Sequence, residues 1–269
     1  MKAVYFLVTT CVINIFSGFN SIGNEKFRTT GTNVKDNINI VGIWVRIGQN
    51  GPIAIEFKEN GLVEADLGND KSIDVVSEYE IRNDTVIFID KQGEMCQNKG
   101  QYQIYKTDYY LAFDLIDDEC GGRIKSTMGY WTKPEFNALL EELNKKMSNN
   151  TDKDLYLSRA RINMAIGNSA KAKSDFDEYL KNETTNARVY INRAGTRFPN
   201  DMEGVIADCN KAILLEPNNK NAYFLRGLAN YELGNKKLGC EDFSKAIDLG
   251  FSVLRIAEQE KCSEFWNKK

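Results

Sequence analysis

The chain has 269 residues, 42% of them hydrophobic and 27% charged, and a formal net charge of -3, which suits two globular domains and offers no basic face for nucleic acid. Histidine is absent, and this removes Ser-His-Asp and Cys-His catalysis, imidazole metal sites and histidine proton shuttles. No Gly-rich phosphate loop, dinucleotide fingerprint or Cys-x-x-Cys pair occurs, so neither a metal site nor a cofactor is expected and enzyme readings start at a disadvantage. At the N-terminus, Lys2 precedes an apolar stretch from Ala3 to Phe16, shorter than the roughly 20 residues of a spanning helix. Small residues follow, and Ser21-Ile22-Gly23 suits cleavage before Asn24, which predicts a signal peptide over 1–23 and a periplasmic or secreted product with no stable membrane span. An anchoring helix, or a lipoprotein using Cys11, are the alternatives. Export leaves Cys96, Cys120, Cys209, Cys240 and Cys262 in an oxidising compartment, where two disulfides and one buried thiol account for the odd number.

Residues 37–147 offer short strands separated by turn signals, read as 39–47, 53–58, 61–67, 73–81, 85–90, 101–106, 110–117 and 123–131. Ile53, Ile55 and Phe57 alternate with Ala54, Glu56 and Lys58, the pattern of a half-buried strand. Eight strands in a meander remove their edges most simply by closing into a barrel. Gly42-Ile43-Trp44 at the head of the first strand resembles the Gly-x-Trp signature of lipocalin-type barrels. That resemblance implies an indole at the closed end of the barrel with an arginine across its face, and Arg123, opening the eighth strand, is the candidate. It also implies a helix after the barrel, and "TKPEFNALLEELNKKM" fits, with Thr132 and Glu135 as a capping box. A β-sandwich with an ordinary core tryptophan is the alternative. Pairing Ile104 with Leu111 and Tyr102 with Phe113 brings Cys96 and Cys120 within one residue of facing each other, so a Cys96–Cys120 disulfide is expected, two free thiols being the alternative. Inward Phe57, Phe88, Tyr102 and Phe113 suit an apolar pocket and a solid core equally.

After the polar linker "SNNTDKD" the periodicity becomes helical. "DLYLSRA", "ARVYINRA" and "NAYFLRG" place Tyr156, Tyr190 and Tyr223 at intervals of 34 and 33 residues, and "AKAKSDFDEYL", "GVIADCNKAILLEPNN" and "GCEDFSKAIDLG" repeat in step. These segments resemble tetratricopeptide repeats (TPRs), placed at about 153–186, 187–219 and 220–251 within a domain of 152–266. Small residues recur where paired helices must approach: Ala160, Ala194 and Gly227, then Ala172, Val205 and Gly239. Phe176, Cys209 and Phe243 share one core slot, which makes Cys209 a small buried hydrophobe. Arg159 with Asp175, Arg193 with Asp208 and Arg226 with Asp242 recur in every unit and read as scaffold ion pairs. Pro199 is expected to shorten the second unit's first helix. The tail over 252–266 reads as a capping helix stapled by a Cys240–Cys262 disulfide, with Cys209 as the rival partner.

The expected architecture is therefore multidomain β plus α: an eight-stranded antiparallel up-and-down barrel, lipocalin-like, followed by an α-solenoid of three TPR hairpins and a cap. Resemblance to TPR arrays implies a concave groove for another protein or peptide, with Leu157, Arg161, Met164, Ile191, Phe198, Phe224, Leu228 and Tyr231 exposed along it, unless these side chains pack on neighbouring helices or on the barrel. The leading expectation is an exported non-catalytic scaffold whose repeats engage a protein. A carrier of a small apolar, lipid-like molecule in the barrel is the alternative, separated by an internal void. A carboxylate-dependent hydrolase comes third, drawing on Glu56, Glu64 and Asp66 or on Asp114, Asp117, Asp118 and Glu119.

Overall fold

The computed structural model describes residues 38–48, 51–68, 70–92, 96, 98–150, 152–251, 262, 263, 265 and 266. The expected signal peptide and most of the expected capping helix lie outside these residues. Strands β1 (Gly42–Gly48), β2 (Gly51–Phe57), β3 (Leu62–Asp66), β4 (Val75–Arg82), β5 (Thr85–Gln92), β6 (Gly100–Lys106), β7 (Tyr110–Asp117) and β8 (Gly129–Thr132) pair antiparallel in chain order. β8 returns to β1, and the barrel is closed. Alternation sends Trp44, Ile53, Ile55, Phe57, Val63, Val86, Phe88, Tyr102, Ile104, Phe113 and Trp131 into one core. The tight β2–β3, β4–β5 and β6–β7 turns lie at one end of the barrel. The longer β3–β4, β5–β6 and β7–β8 connections lie at the other.

Two expectations about the barrel need correction. Residues 123–131 are not one strand: Gly121–Thr127 form helix α1, and β8 follows it. A strand there would have sent Arg123, Lys125 and Thr127 to the face opposite Ile124, Ser126 and Met128, whereas the helix buries Arg123 and Ile124 together. The β6–β7 register also lies two residues from the expected one, with Ile104 opposite Phe113 and Tyr102 opposite Leu115. Thr107 decides it, because its N–H donates to the Tyr110 carbonyl at 2.9 Å and its hydroxyl accepts from the Tyr109 and Tyr110 N–H groups. A bulge between Gln101 and Tyr102 then re-aims the rest of the hairpin.

Among the described residues seven further helical elements have full bounds: α2 (Phe136–Ser148), α3 (Lys153–Ala165), α4 (Ser169–Leu180), α5 (Ala187–Arg197), α6 (Met202–Leu215), α7 (Lys220–Glu232) and α8 (Lys236–Asp248). The expected Thr132–Glu135 capping box does not form, since Thr132 belongs to β8 and α2 begins at Phe136. Asp152, Asn168, Asn186, Asp201 and Asn219 cap α3 to α7, each side chain accepting a backbone N–H from the first turn. α5 stops at Arg197, two residues before Pro199, and is the shortest of the bounded helices α2 to α8. The hairpins α3/α4, α5/α6 and α7/α8 stack around one core that includes Phe176, Cys209 and Phe243. α2 joins this stack. Leu143, Phe176, Cys209 and Phe243 succeed one another at 33, 33 and 34 residues, and all four are buried. Arg159, Arg193 and Arg226 also donate backwards to Asn144, Asp177 and Asn210 at 2.6, 2.8 and 2.7 Å. The helix after the barrel thus serves as the second half of a preceding hairpin and covers the solenoid's first face.

Candidate binding site

A cavity of about 380 Å³ occupies the barrel. Its depth is apolar, lined by Ile55, Phe57, Val63, Phe88 and Trp131, and its mouth carries Ser77, Asp90, Arg123 and Thr127. α1 lies across this mouth, and the Cys96–Cys120 disulfide, with its Cα atoms 5.8 Å apart, ties the β5–β6 connection to the start of α1. Arg123 anchors the arrangement. Its Nε and Nη2 donate to Asp118 at 2.7 and 2.9 Å, its Nη2 donates to the Asn98 carbonyl at 2.6 Å, and its Nη1 lies 3.0 Å from Asp90. Burial opposes the guanidinium charge, but the Asp118 and Asp90 carboxylates outweigh it and raise the arginine's pKa. Tyr102 donates to Asp118 at 2.5 Å and Ser77 donates to Asp90 at 2.7 Å, so the polar groups at the mouth are held by one another.

This geometry corrects the barrel-closure expectation. Arg123 sits on α1 at the long-loop end of the barrel, bound to carboxylates, while Gly42 and the head of β1 belong to the tight-turn end. The cation over the Trp44 ring is Lys133, 3.7 Å from the ring centroid. Lys133 directly follows β8, and placing that strand at 129–132 would have pointed to it. Trp44 is fully buried, and its Nε1–H donates to the Ile40 carbonyl at 2.8 Å.

The expected groove residues are not an open surface. Leu157, Arg161, Ile191, Phe198, Phe224 and Leu228 are buried, and Met164 and Tyr231 are half-buried. At the α3 and α5 end the barrel itself fills the concave face. Arg161 donates to the Tyr110 hydroxyl at 2.5 Å and lies over the Tyr110 ring. Arg188 donates to Asp114 at 3.0 Å and stacks on Tyr105. Asn192 donates to the Tyr130 hydroxyl at 2.9 Å. Asp114 is 0% exposed, Arg161 4% and Arg188 7%, so this is a dry contact. Tyr105, Tyr110, Asp114, Tyr130, Arg188 and Asn192 were not read from the sequence as contact residues. The available signal was β7, "YLAFDLID", whose outward residues are as apolar and aromatic as its inward ones. A strand buried on both faces reads that way.

Arg159–Asp175, Arg193–Asp208 and Arg226–Asp242 meet across their hairpins at 2.5, 2.5 and 2.6 Å. Cys240 and Cys262 are joined, with Cα atoms 5.6 Å apart, and Trp266 donates to the Cys240 carbonyl at 3.1 Å. The Cys209 thiol is buried, and desolvation pushes its pKa well above the usual thiol value, the opposite of what a nucleophile needs. Glu56 and Glu64 stand opposite each other on β2 and β3, and most of the other acidic groups have partners of their own. Asp66 accepts backbone N–H groups from Gly68, Asp70 and Lys71, Glu64 pairs with Lys58, Asp118 holds Arg123 and Asp114 holds Arg188. Glu56, Asp117 and Glu119 are exposed. Among the described residues, no helix is long and apolar enough to cross a membrane.

No family model matches the chain. It is similar to the human mitochondrial import receptor subunit TOM70, at 23% identity over 181 residues, covering 64% of this chain and 26% of that protein. The chain thus spans about a quarter of the length of the curated relative it matches. Among solved structures it is similar to MamA, at 20% identity and a TM-score of 0.45, covering 50% of this chain and 79% of that one. It is also similar to the first TPR of Spaghetti (RPAP3) bound to an HSP90 peptide, at 21% identity and a TM-score of 0.35, covering 49% and 92% respectively.

Proposed function

We propose that this chain is an exported, non-catalytic, two-module binding protein: a lipocalin-like barrel that takes a small apolar molecule, carried on a TPR-type array that serves as a protein-interaction scaffold. The cavity carries the ligand half of the reading. At about 380 Å³ it falls within the range of pockets that enclose small molecules, and an apolar depth with a few fixed polar groups at the mouth is the usual composition of such sites. Phe57, Phe88 and Trp131 offer aromatic contact, while Ser126 and Thr127 of α1 offer hydroxyls to a polar end of the ligand. The scaffold half is supported by the repeat spacing and the stacked hairpins. With the barrel on the α3 and α5 part of the concave face, a protein partner is left the rest of the array. Export is supported by the apolar N-terminal stretch and by two disulfides among the described residues.

The ligand reading is tested by titrating the purified chain with the neutral fluorophore phenylnaphthylamine. One saturable site is expected in the unsubstituted chain, and Ala65→Trp, which fills the cavity from β3, abolishes it. Saturable binding that survives Ala65→Trp, or none at all, contradicts the reading.

A further inference from the structure

The short strand that closes the barrel stands between the cavity and the repeat array. β8 has four residues, and all four are buried. It pairs with β7 at four positions, whereas its register with β1, among the described residues, is the single pair Val45–Thr132. A barrel closed by so little pairing leaves strand edges that need cover. α3 supplies it, packing over β8 and touching β1 and β7 on either side.

The two faces of β8 look into different sites. Inward, Trp131 forms part of the cavity wall. Its Nε1–H donates to the Thr127 carbonyl of α1 at 2.9 Å, and the Arg46 guanidinium lies 5.3 Å from its ring centroid. Outward, Tyr130 accepts from Asn192 of α5 and meets Tyr110 edge to face at 5.8 Å. Tyr110 in turn accepts from Arg161 of α3. A ligand against Trp131 and the array against Tyr130 therefore hold the same four residues in the same closed arrangement.

We propose that the repeat array is a latch on the barrel's seam, so that cavity occupancy and docking of the array strengthen each other; this rests on the cavity being a ligand site. The two states are the seam closed under α3 and the seam opened with α3 and α5 lifted from it. Ligand contacts to Trp131 exist only in the closed state, and so do the Arg161, Arg188 and Asn192 contacts. Two sites that favour one state are positively coupled, and the coupling is reciprocal. Loosening the latch must then weaken ligand binding at a cavity that the latch residues do not line.

The test uses the full chain and phenylnaphthylamine. The double variant Arg161→Gln, Asn192→Ala, with the circular dichroism of the unsubstituted chain, is expected to bind the probe about 5-fold more weakly or worse, the lower end of ordinary couplings between sites. An unchanged Kd in that folded variant overturns the latch and leaves the cavity reading standing. Hydrogen exchange of the unsubstituted chain gives a readout that does not depend on the variant folding. Saturating probe is expected to slow exchange in β8 and in α3 and to leave α8 unchanged. Slowing confined to the barrel strands overturns the latch, and absence of saturable binding by the unsubstituted chain overturns both readings together.

Discussion

Asp114 and Arg188 show what a single pair does in the contact between the modules. Both side chains are almost entirely buried, and attraction in a dry setting offsets their desolvation only while both are present. Asp114→Ala leaves a buried guanidinium facing Tyr105 and Tyr110, and should destabilise the chain by roughly 3 kcal/mol or more in urea unfolding. A loss no larger than that of an exposed carboxylate such as Asp117 would contradict the buried contact. Tyr105 lies in the same contact, and burial followed by the Asp114 charge pushes its pKa up from 10.0 to about 12. The folded state therefore keeps a phenol proton that the unfolded chain gives up above 10. The stabilisation is fully present below 10 and is lost as pH rises through about 12. Arg46 is buried as well, and desolvation lowers its pKa. Comparison with Tyr105→Phe isolates the tyrosine. The stability difference between the two proteins, read from urea midpoints, should change steadily between 10 and 12, and a constant difference would show that Tyr105 is not shielded by the array.

Among the elements, the last hairpin is packed most tightly. A methyl group on Gly227 would lie 2.8 Å from the Phe243 ring and 3.0 Å from the Gly239 carbonyl oxygen, and one on Gly239 would lie 2.8 Å from the Gly227 carbonyl oxygen. Alanine gains up to about 1 kcal/mol of helix propensity over glycine, while overpacking a closed interface costs about 1–3 kcal/mol. Gly227→Ala should therefore lower the thermal midpoint, even though Ala160 and Ala194 stand at the equivalent places of the other two hairpins. A raised midpoint would mean that α7 and α8 have room to separate. The repeats were legible because their period is long and the small and apolar slots recur in step. α2 was not legible as part of the stack, because Leu143 and Asn144 carry only a fragment of that pattern. The strands of the barrel were legible from alternation, but the β6–β7 register turned on the hydrogen bonds of Thr107. The helix at 121–127 depends on Asp118, Asp90 and the Cys96 bridge, which are tertiary facts. The groove was misjudged for a related reason: Leu157, Ile191, Phe198, Phe224 and Leu228 pack into the core of the helical stack, and Arg161 is taken by Tyr110 of the barrel, so which first-helix positions face water depends on packing between elements.

At the scale of the whole molecule, the barrel and the array form one body joined through the outward faces of β7 and β8, and the cavity lies just behind that joint. On the function proposed above, the interior of the barrel takes a small ligand, while the chain's own barrel occupies the α3 and α5 part of the concave face. A crystal structure of the chain with phenylnaphthylamine tests this most directly. The account predicts the fluorophore inside the barrel, in contact with Phe57, Phe88 and Trp131, with Arg161, Arg188 and Asn192 still engaged by Tyr110, Asp114 and Tyr130. A barrel filled by its own side chains, with the fluorophore lying among the repeat helices instead, would contradict it.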